Sequence, residues 1–276
     1  MGLARFWHQN LRWTLILWIV AAFWLRVGWT VMGVGIVIWF ILIYLTAPGV
    51  LWTYIYALPF ISSNPVRAIK VLQKAVAGKP LLSFPYIALG VAYLQNKRYA
   101  EAEPLLEEGV RLSERKFESD AKILLAVAYR ETGQYDKTFA LLDELVSRRI
   151  KNLKIYYNYA LCYLRQKRYQ EALDAAETAR SFNNKQIEPV LLLGQIHFEM
   201  GNIQAAKDNW EWAIERKPDM IEPYYWLGRA ELELGETEAA IGHLKLAVER
   251  ITEHPLLSNV SAAEAEDWLK KAKAGR

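Results

Sequence analysis

Two rhythms of apolar residues divide the chain. Residues 13–45, WTLILWIVAAFWLRVGWTVMGVGIVIWFILIYL, are apolar almost without interruption, and Arg26 is the only charge among them. As helices, residues 13–25 would rise about 20 Å and residues 27–45 about 28 Å, against roughly 30 Å of membrane hydrocarbon. One helix through both would measure about 50 Å, too long for a single crossing. The first piece, WTLILWIVAAFWL, has Thr14 as its one polar residue. It therefore lacks the polar face of an interfacial helix, and no small-residue cleavage site follows it as a signal peptide would require. The pattern predicts a hairpin of two transmembrane helices at about 11–25 and 27–46. Arg12 and Arg26 snorkel at the ends of the first span, and Trp24, Arg26, Gly28 and Trp29 form the tip. A single span over the second piece is the alternative, and it would reverse the side on which the rest of the chain lies.

Beyond residue 60 the rhythm changes to apolar residues every three or four positions, the spacing of helices with one face in a core. NPVRAIKVLQKAVAGKP (64–80) opens with Asn64 and Pro65, an N-cap followed by proline at the first helical position. From there the pattern repeats. YIALGVAYLQNKRYAEA (86–102) aligns with YYNYALCYLRQKRYQEA (156–172), and VLLLGQIHFEMGNIQAA (190–206) and YYWLGRAELELGETEAA (224–240) share the frame. ILLAVAYRETGQYDKT (123–138) is a looser copy.

This periodicity resembles the tetratricopeptide repeat, a 34-residue helix–turn–helix unit with the pattern W-x2-L-G-x2-Y…A-x3-F…P. Repeats fall at about 83–116, 119–152, 153–186, 187–220 and 221–254. Tyr86, Leu89, Gly90, Tyr93 and Ala102 fill the signature in the first. Val190, Leu193, Gly194, Ala206, Trp210, Ala213 and Pro218 fill it in the fourth, and Tyr224, Leu227, Gly228, Ala240, Leu244 and Ala247 in the last. His197 and Glu231 stand where the family carries Tyr, and Thr138 stands where it carries Ala. Close helix approach requires small facing residues, so Gly90, Gly194, Gly228 and Ala160 are expected opposite Ala102, Ala206, Ala240 and Ala172. SAAEAEDWLKKAKAGR (261–276) opens with Ser261 and Glu264 in capping-box spacing and carries Trp268 as its large apolar anchor.

The expected fold is all-α: N-terminal transmembrane helices paired as a hairpin, then a tetratricopeptide-repeat α-solenoid closed by a C-terminal capping helix. Its segments are a membrane anchor (1–47), a degenerate first repeat with the juxtamembrane segment (48–82), five repeats (83–254) and the cap (255–276).

Charge sharpens this division. Residues 1–66 hold three Arg, no Lys and no acidic residue. Taking those three from the chain's 34 Lys and Arg leaves 31 basic against 30 acidic residues in 67–276. That balance argues against nucleic acid as a partner. Arg5 and Arg12 favour a cytoplasmic amino terminus. With two spans the repeats then face the cytoplasm, and we expect an integral protein of a bacterial inner membrane.

Candidate chemistry adds little. Cys162, the only cysteine, sits in ALCYL as a small core residue. His8, His197, His243 and His254 share no ligand spacing, and no phosphate loop, dinucleotide fingerprint or zinc helix is present. The sequence predicts neither an enzyme nor a metal or cofactor site.

The family resemblance instead implies a groove lined by the first helix of each repeat. Mapped here, that lining is Phe84, Ile87, Val91 and Leu94; Ile123, Val127 and Arg130; Tyr157, Leu161, Leu164 and Arg165; Leu191, Gln195 and Phe198; and Tyr225, Arg229 and Leu232. The Lys and Asn that clamp a terminal carboxylate in some relatives are absent. An apolar surface with scattered Arg suits an amphipathic helix or an extended apolar peptide. The expected function is a membrane-anchored, non-catalytic scaffold that contacts membrane lipid and binds a protein or peptide partner. The alternative is an integral subunit or assembly factor whose transmembrane hairpin contacts other membrane-complex subunits.

Overall fold

The computed structural model describes residues 49–254, 258 and 260–275. The two spans expected at about 11–25 and 27–46 lie outside the described residues. Among the described residues there are thirteen α-helices and no strand, and no helix is long and apolar enough to cross a membrane. The chain divides into two compact units, one ending at Ala121 and one beginning at Lys122.

In the first unit, α1 (Gly49–Ser63) pairs with α2 (Pro65–Ala77), and α3 (Ser83–Gln95) pairs with α4 (Tyr99–Leu112). The start of α2 follows from local chemistry. Asn64 Oδ1 accepts from the Arg67 backbone N–H at 3.0 Å, and Pro65 gives up no hydrogen bond in the first turn. The apolar stripe Ala68, Ile69, Leu72 and Ala75 is buried, while the charged positions between them point outward. The hairpins are joined by the Tyr54 and Phe84 rings at 4.6 Å and by Gln73 Nε2 donating to the Tyr93 hydroxyl at 2.8 Å.

The second unit takes in α5 (Glu118–Glu131) from Lys122 onward, then α6 (Tyr135–Ser147), α7 (Leu153–Arg165), α8 (Tyr169–Phe182), α9 (Glu188–Glu199), α10 (Ile203–Arg216), α11 (Glu222–Glu233), α12 (Thr237–Glu253) and α13 (Ala262–Ala274). Within it α9 touches both α7 and α11, so three first helices lie side by side. Every hairpin turn after α3 passes through one left-handed residue. These are Lys97 (φ 56°), Gly133 (φ 77°), Lys167 (φ 60°), Gly201 (φ 79°) and Gly235 (φ 78°). Glycine adopts this conformation freely; the two lysines do so against the steric preference of an L side chain.

The close approach within hairpins differs from the sequence expectation by one helical turn at Gly90 and Gly194, while at Gly228 the expected Ala240 is also met, its carbonyl oxygen 3.2 Å from a built Cβ. A Cβ built on Gly90 would lie 2.6 Å from Leu106 Cγ, one on Gly194 2.6 Å from Trp210 Nε1, and one on Gly228 2.7 Å from Leu244 Cγ. The glycines therefore make room for a large side chain four residues beyond Ala102, Ala206 and Ala240. Those alanines are themselves fully buried. Ala160 shares its core cluster with Ala172 and with Ala176, the residue four further on, so the repeat without a glycine has a small residue facing it. The reason is geometric: helical side chains lean toward the N-terminus, so the contact partner lies beyond the residue level with the glycine.

The end of the second unit is covered by α13. Ser261 Oγ accepts from the Glu264 N–H at 3.2 Å, which is half of a capping box. The Glu264 carboxylate accepts instead from the Tyr225 hydroxyl at 2.7 Å. Ala265 and Ala272 are buried, and half-buried Trp268 packs on the cluster containing Tyr225, Leu244 and Ile251.

Candidate partner-binding groove

The first helices of the hairpins carry all of the residues predicted to line a groove, but burial separates them into two groups. In the first unit, Phe84, Val91 and Leu94 are half-buried on α3. Ile87 is also half-buried, yet its Cγ1 would lie 2.7 Å from a Cβ on Gly109, so it packs into its own hairpin. In the second unit, Val127, Tyr157, Leu161, Leu164, Leu191, Gln195, Phe198, Arg229 and Leu232 are half-buried, and Arg165 is exposed. Three others are committed to the interior. Ile123 is 3% exposed in a cluster with Leu142 and Ile155, Arg130 is 8% exposed, and Tyr225 is fully buried.

Arg130 is held by a network that repeat mapping could not foresee. Its Nη2 donates to Glu131 Oε1 at 2.7 Å, and its Nη1 donates to Asn158 Oδ1. Asn158 is 2% exposed and donates from Nδ2 to the Lys154 carbonyl at 2.7 Å. Arg165 completes the set, with Nη2 at 2.9 Å from Glu131 Oε2. These two arginines thus serve an internal ion network whose buried members have their hydrogen bonds met. The signal that could have revealed it is Asn158 itself, a polar residue inside the apolar run YYNYAL.

Arg229 has different surroundings. Its guanidinium carbon lies 4.5 Å from the Trp268 ring centroid, 4.8 Å from Trp226, 5.2 Å from Phe198 and 5.7 Å from Tyr225. Such contacts stabilise a cation through the ring quadrupoles. The buried Nε has no hydrogen-bond partner, and no carboxylate among the described residues forms a salt bridge with Arg229. Burial pushes the Tyr225 hydroxyl up to about 12, and the bond to Glu264 adds to the effect. Trp268 is the part of this box that repeat spacing does not supply, since it arrives from α13.

Cys162 and Glu231 are shielded or engaged, and the histidines of the described residues share no site. Cys162 is fully buried, and burial pushes its thiol up to about 11, which leaves little thiolate at neutral pH. Glu231, 2% exposed, has Oε2 at 2.8 Å from His243 Nδ1. His197 is half-buried with its Nδ1 unpartnered, and His254 is exposed. No group of His, Cys, Asp or Glu among the described residues is placed to hold a metal ion.

Family models match three stretches of the chain. Tetratricopeptide repeat models match residues 86–120 and 191–255, and the model for anaphase-promoting complex, cyclosome, subunit 3 matches residues 111–179. No curated protein matches the sequence. Among solved structures, yeast Tom70 superposes with a TM-score of 0.62 at 17% identity over 84% of this chain. A chain of the APC/C hetero-tetramer Cut9–Hcn1 gives 0.66 at 14% identity over 81%. A thermophilic tetratricopeptide protein of Thermus thermophilus gives 0.58 at 20% identity, covering 70% of this chain and 99% of its own. The chain spans 48% of the Tom70 structure and 42% of the Cut9–Hcn1 chain, less than half of either. The described residues thus have a tetratricopeptide-like all-α fold, the kind found in protein-interaction scaffolds, and the matched models indicate no enzyme family.

Proposed function

We propose that this protein is a membrane-anchored scaffold that holds a protein partner on the first-helix face of its second unit. The observation that carries the reading is the contrast between Arg130 and Arg229. The first is neutralised internally, while the second is presented among half-buried apolar residues and forms no salt bridge with a carboxylate among the described residues. The partner is an amphipathic helix or an extended apolar segment with an acidic residue positioned to meet Arg229. Leu161, Leu164, Leu191 and Phe198 supply the apolar contact. The apolar run 13–45 anchors the chain in a bacterial inner membrane as a two-span hairpin, with the repeats on the cytoplasmic side. No catalytic role enters this reading.

Crosslinking and mass spectrometry from native membranes, comparing wild type with the double variant Leu161→Glu, Gln195→Glu, test the groove. Both side chains are half-buried on α7 and α9, and Gln195 accepts a carboxylate with little change in shape. The variant, with unchanged circular dichroism, is expected to lose at least one partner that wild type retains. A folded variant that keeps every partner refutes the groove reading. Reporter fusions at Gly28 and at the C-terminus test the anchor separately.

A further inference from the structure

Three of the large apolar residues exposed in the first unit lie together on α1. Ile55 is 44% exposed, Tyr56 53% and Leu58 43%, all on one short stretch of a helix without a single charged residue. This helix begins at Gly49, four residues after the apolar run that ends at Leu45. A cluster of large apolar side chains left in water is the mark of a surface with an occupant.

Beside this patch lies a crevice of about 550 Å³ lined by Thr53, Tyr56, Arg67, Lys70, Val71 and Lys74. Arg67 is fixed in place: its guanidinium lies 4.0 Å from the Phe60 ring centroid, and Nη2 donates to the Tyr56 hydroxyl at 2.8 Å. Lys70 and Lys74 are exposed one and two turns further along α2. No acidic residue lines this crevice. The first acidic residue of the whole chain is Glu101, so α1, α2 and α3 contain none. Residues 67–100 hold six cations (Arg67, Lys70, Lys74, Lys79, Lys97 and Arg98), which leaves 25 basic against 30 acidic residues in 101–276. The near-neutral balance of 67–276 thus conceals a cationic end next to the apolar run and an anionic remainder.

We infer that α1 and α2 form a docking surface for anionic lipid, with Ile55, Tyr56 and Leu58 set among the acyl chains. Arg67, Lys70 and Lys74 meet the phosphate headgroup in the adjoining crevice. The inference rests on the proposed anchoring of residues 13–45, because that anchor holds this face at a bilayer. Charge complementarity selects the ligand: an apolar patch alone fits any bilayer, but a crevice with three cations and no acid favours a negatively charged leaflet.

The test uses the full chain reconstituted in vesicles of phosphatidylcholine containing a minority of phosphatidylglycerol. A photoreactive headgroup is placed on one lipid or the other, and adducts are mapped by mass spectrometry. The anionic probe is expected to label residues 53–74. The yield should fall roughly fivefold for each cation neutralised in Lys70→Gln and Lys74→Gln, while labelling within 13–45 stays constant. Both lysines are exposed, and circular dichroism confirms that the variants fold. Equal labelling of 53–74 by the phosphatidylcholine probe, or no loss in the double variant, overturns the inference. So does suppression of the adduct by millimolar inorganic phosphate, which would assign the crevice to free anions. Adducts confined to 13–45 overturn it and leave the anchor standing. A chain that fails to float with the vesicles and yields no adduct overturns the anchor as well.

Discussion

Gly194 and Gly242 are both helical glycines, and the same substitution should move stability in opposite directions at the two positions. In Gly194→Ala the new Cβ would lie 2.6 Å from Trp210 Nε1, 2.8 Å from Cε2 and 3.0 Å from Cδ1, all below ordinary contact. Trp210 has little room to retreat: it is 1% exposed, its ring stacks on Trp226 at 6.0 Å, and Phe198 lies 5.8 Å away. Overpacking of this kind costs about 1–3 kcal/mol. The better helix propensity of alanine offsets roughly 1 kcal/mol of that. Taking the middle of the range, Gly194→Ala loses about 1 kcal/mol net. A Cβ on Gly242, exposed on α12, would meet nothing within 4 Å. Gly242→Ala therefore keeps the full propensity gain of about 1 kcal/mol. For a folded region of this size each kcal/mol moves Tm by about 2–4 °C. Melting followed by circular dichroism at 222 nm should thus place Gly194→Ala about 2–4 °C below wild type and Gly242→Ala about 2–4 °C above it. If both variants rise together, the tight glycine–indole contact does not govern the hairpin and the reasoning fails.

Three further outcomes can be measured on the same protein. Lys167→Gly relieves a left-handed lysine at φ 60° and should stabilise by up to about 1 kcal/mol, whereas Gly201→Ala at φ 79° should destabilise by about 1–2 kcal/mol, both read by denaturant titration. Asn158→Ala leaves the Arg130 Nη1 without its buried acceptor and should cost about 1–3 kcal/mol, and an exposed control, Asn202→Ala, should cost less. Tyr225 loses its proton more readily in the unfolded chain than in the folded one, because its folded value of about 12 lies above the ordinary 10. The stability it contributes is complete below pH 10 and is lost as pH rises toward 12. Unfolding midpoints measured from about pH 9 to about pH 12 should fall less steeply in Tyr225→Phe than in wild type; identical slopes would show that the hydroxyl does not carry the effect.

Much of the fold was legible because it is encoded over short distances. The spacing of Tyr86, Leu89 and Gly90, and its recurrence at Tyr224, Leu227 and Gly228, needs only the helical period and the demand for small residues where helices meet. The start of α2 at Asn64 and Pro65 was readable for the same reason, since a cap is a contact between residues three apart. The contacts of Gly90 and Gly194 fall one turn beyond the expected alanines because sequence alignment sets residues level with one another, while the lean of helical side chains carries the contact further along; Gly228 meets Ala240 as expected and Leu244 besides.

The candidate groove was legible as a set of helices and not as a set of available side chains. Repeat position alone assigned Arg130, Arg229 and Tyr225 to one surface. Their fates were decided by partners far away in the chain: Asn158 lies 28 residues from Arg130, and Glu264 lies 39 from Tyr225. The sequence by itself determined an all-α chain of paired helices, because helical period, capping and small-residue contacts act locally. Only the tertiary structure decided which cations are spent inside and which remain on the surface. Charge satisfaction depends on what folding brings within about 4 Å, and no short-range pattern specifies that.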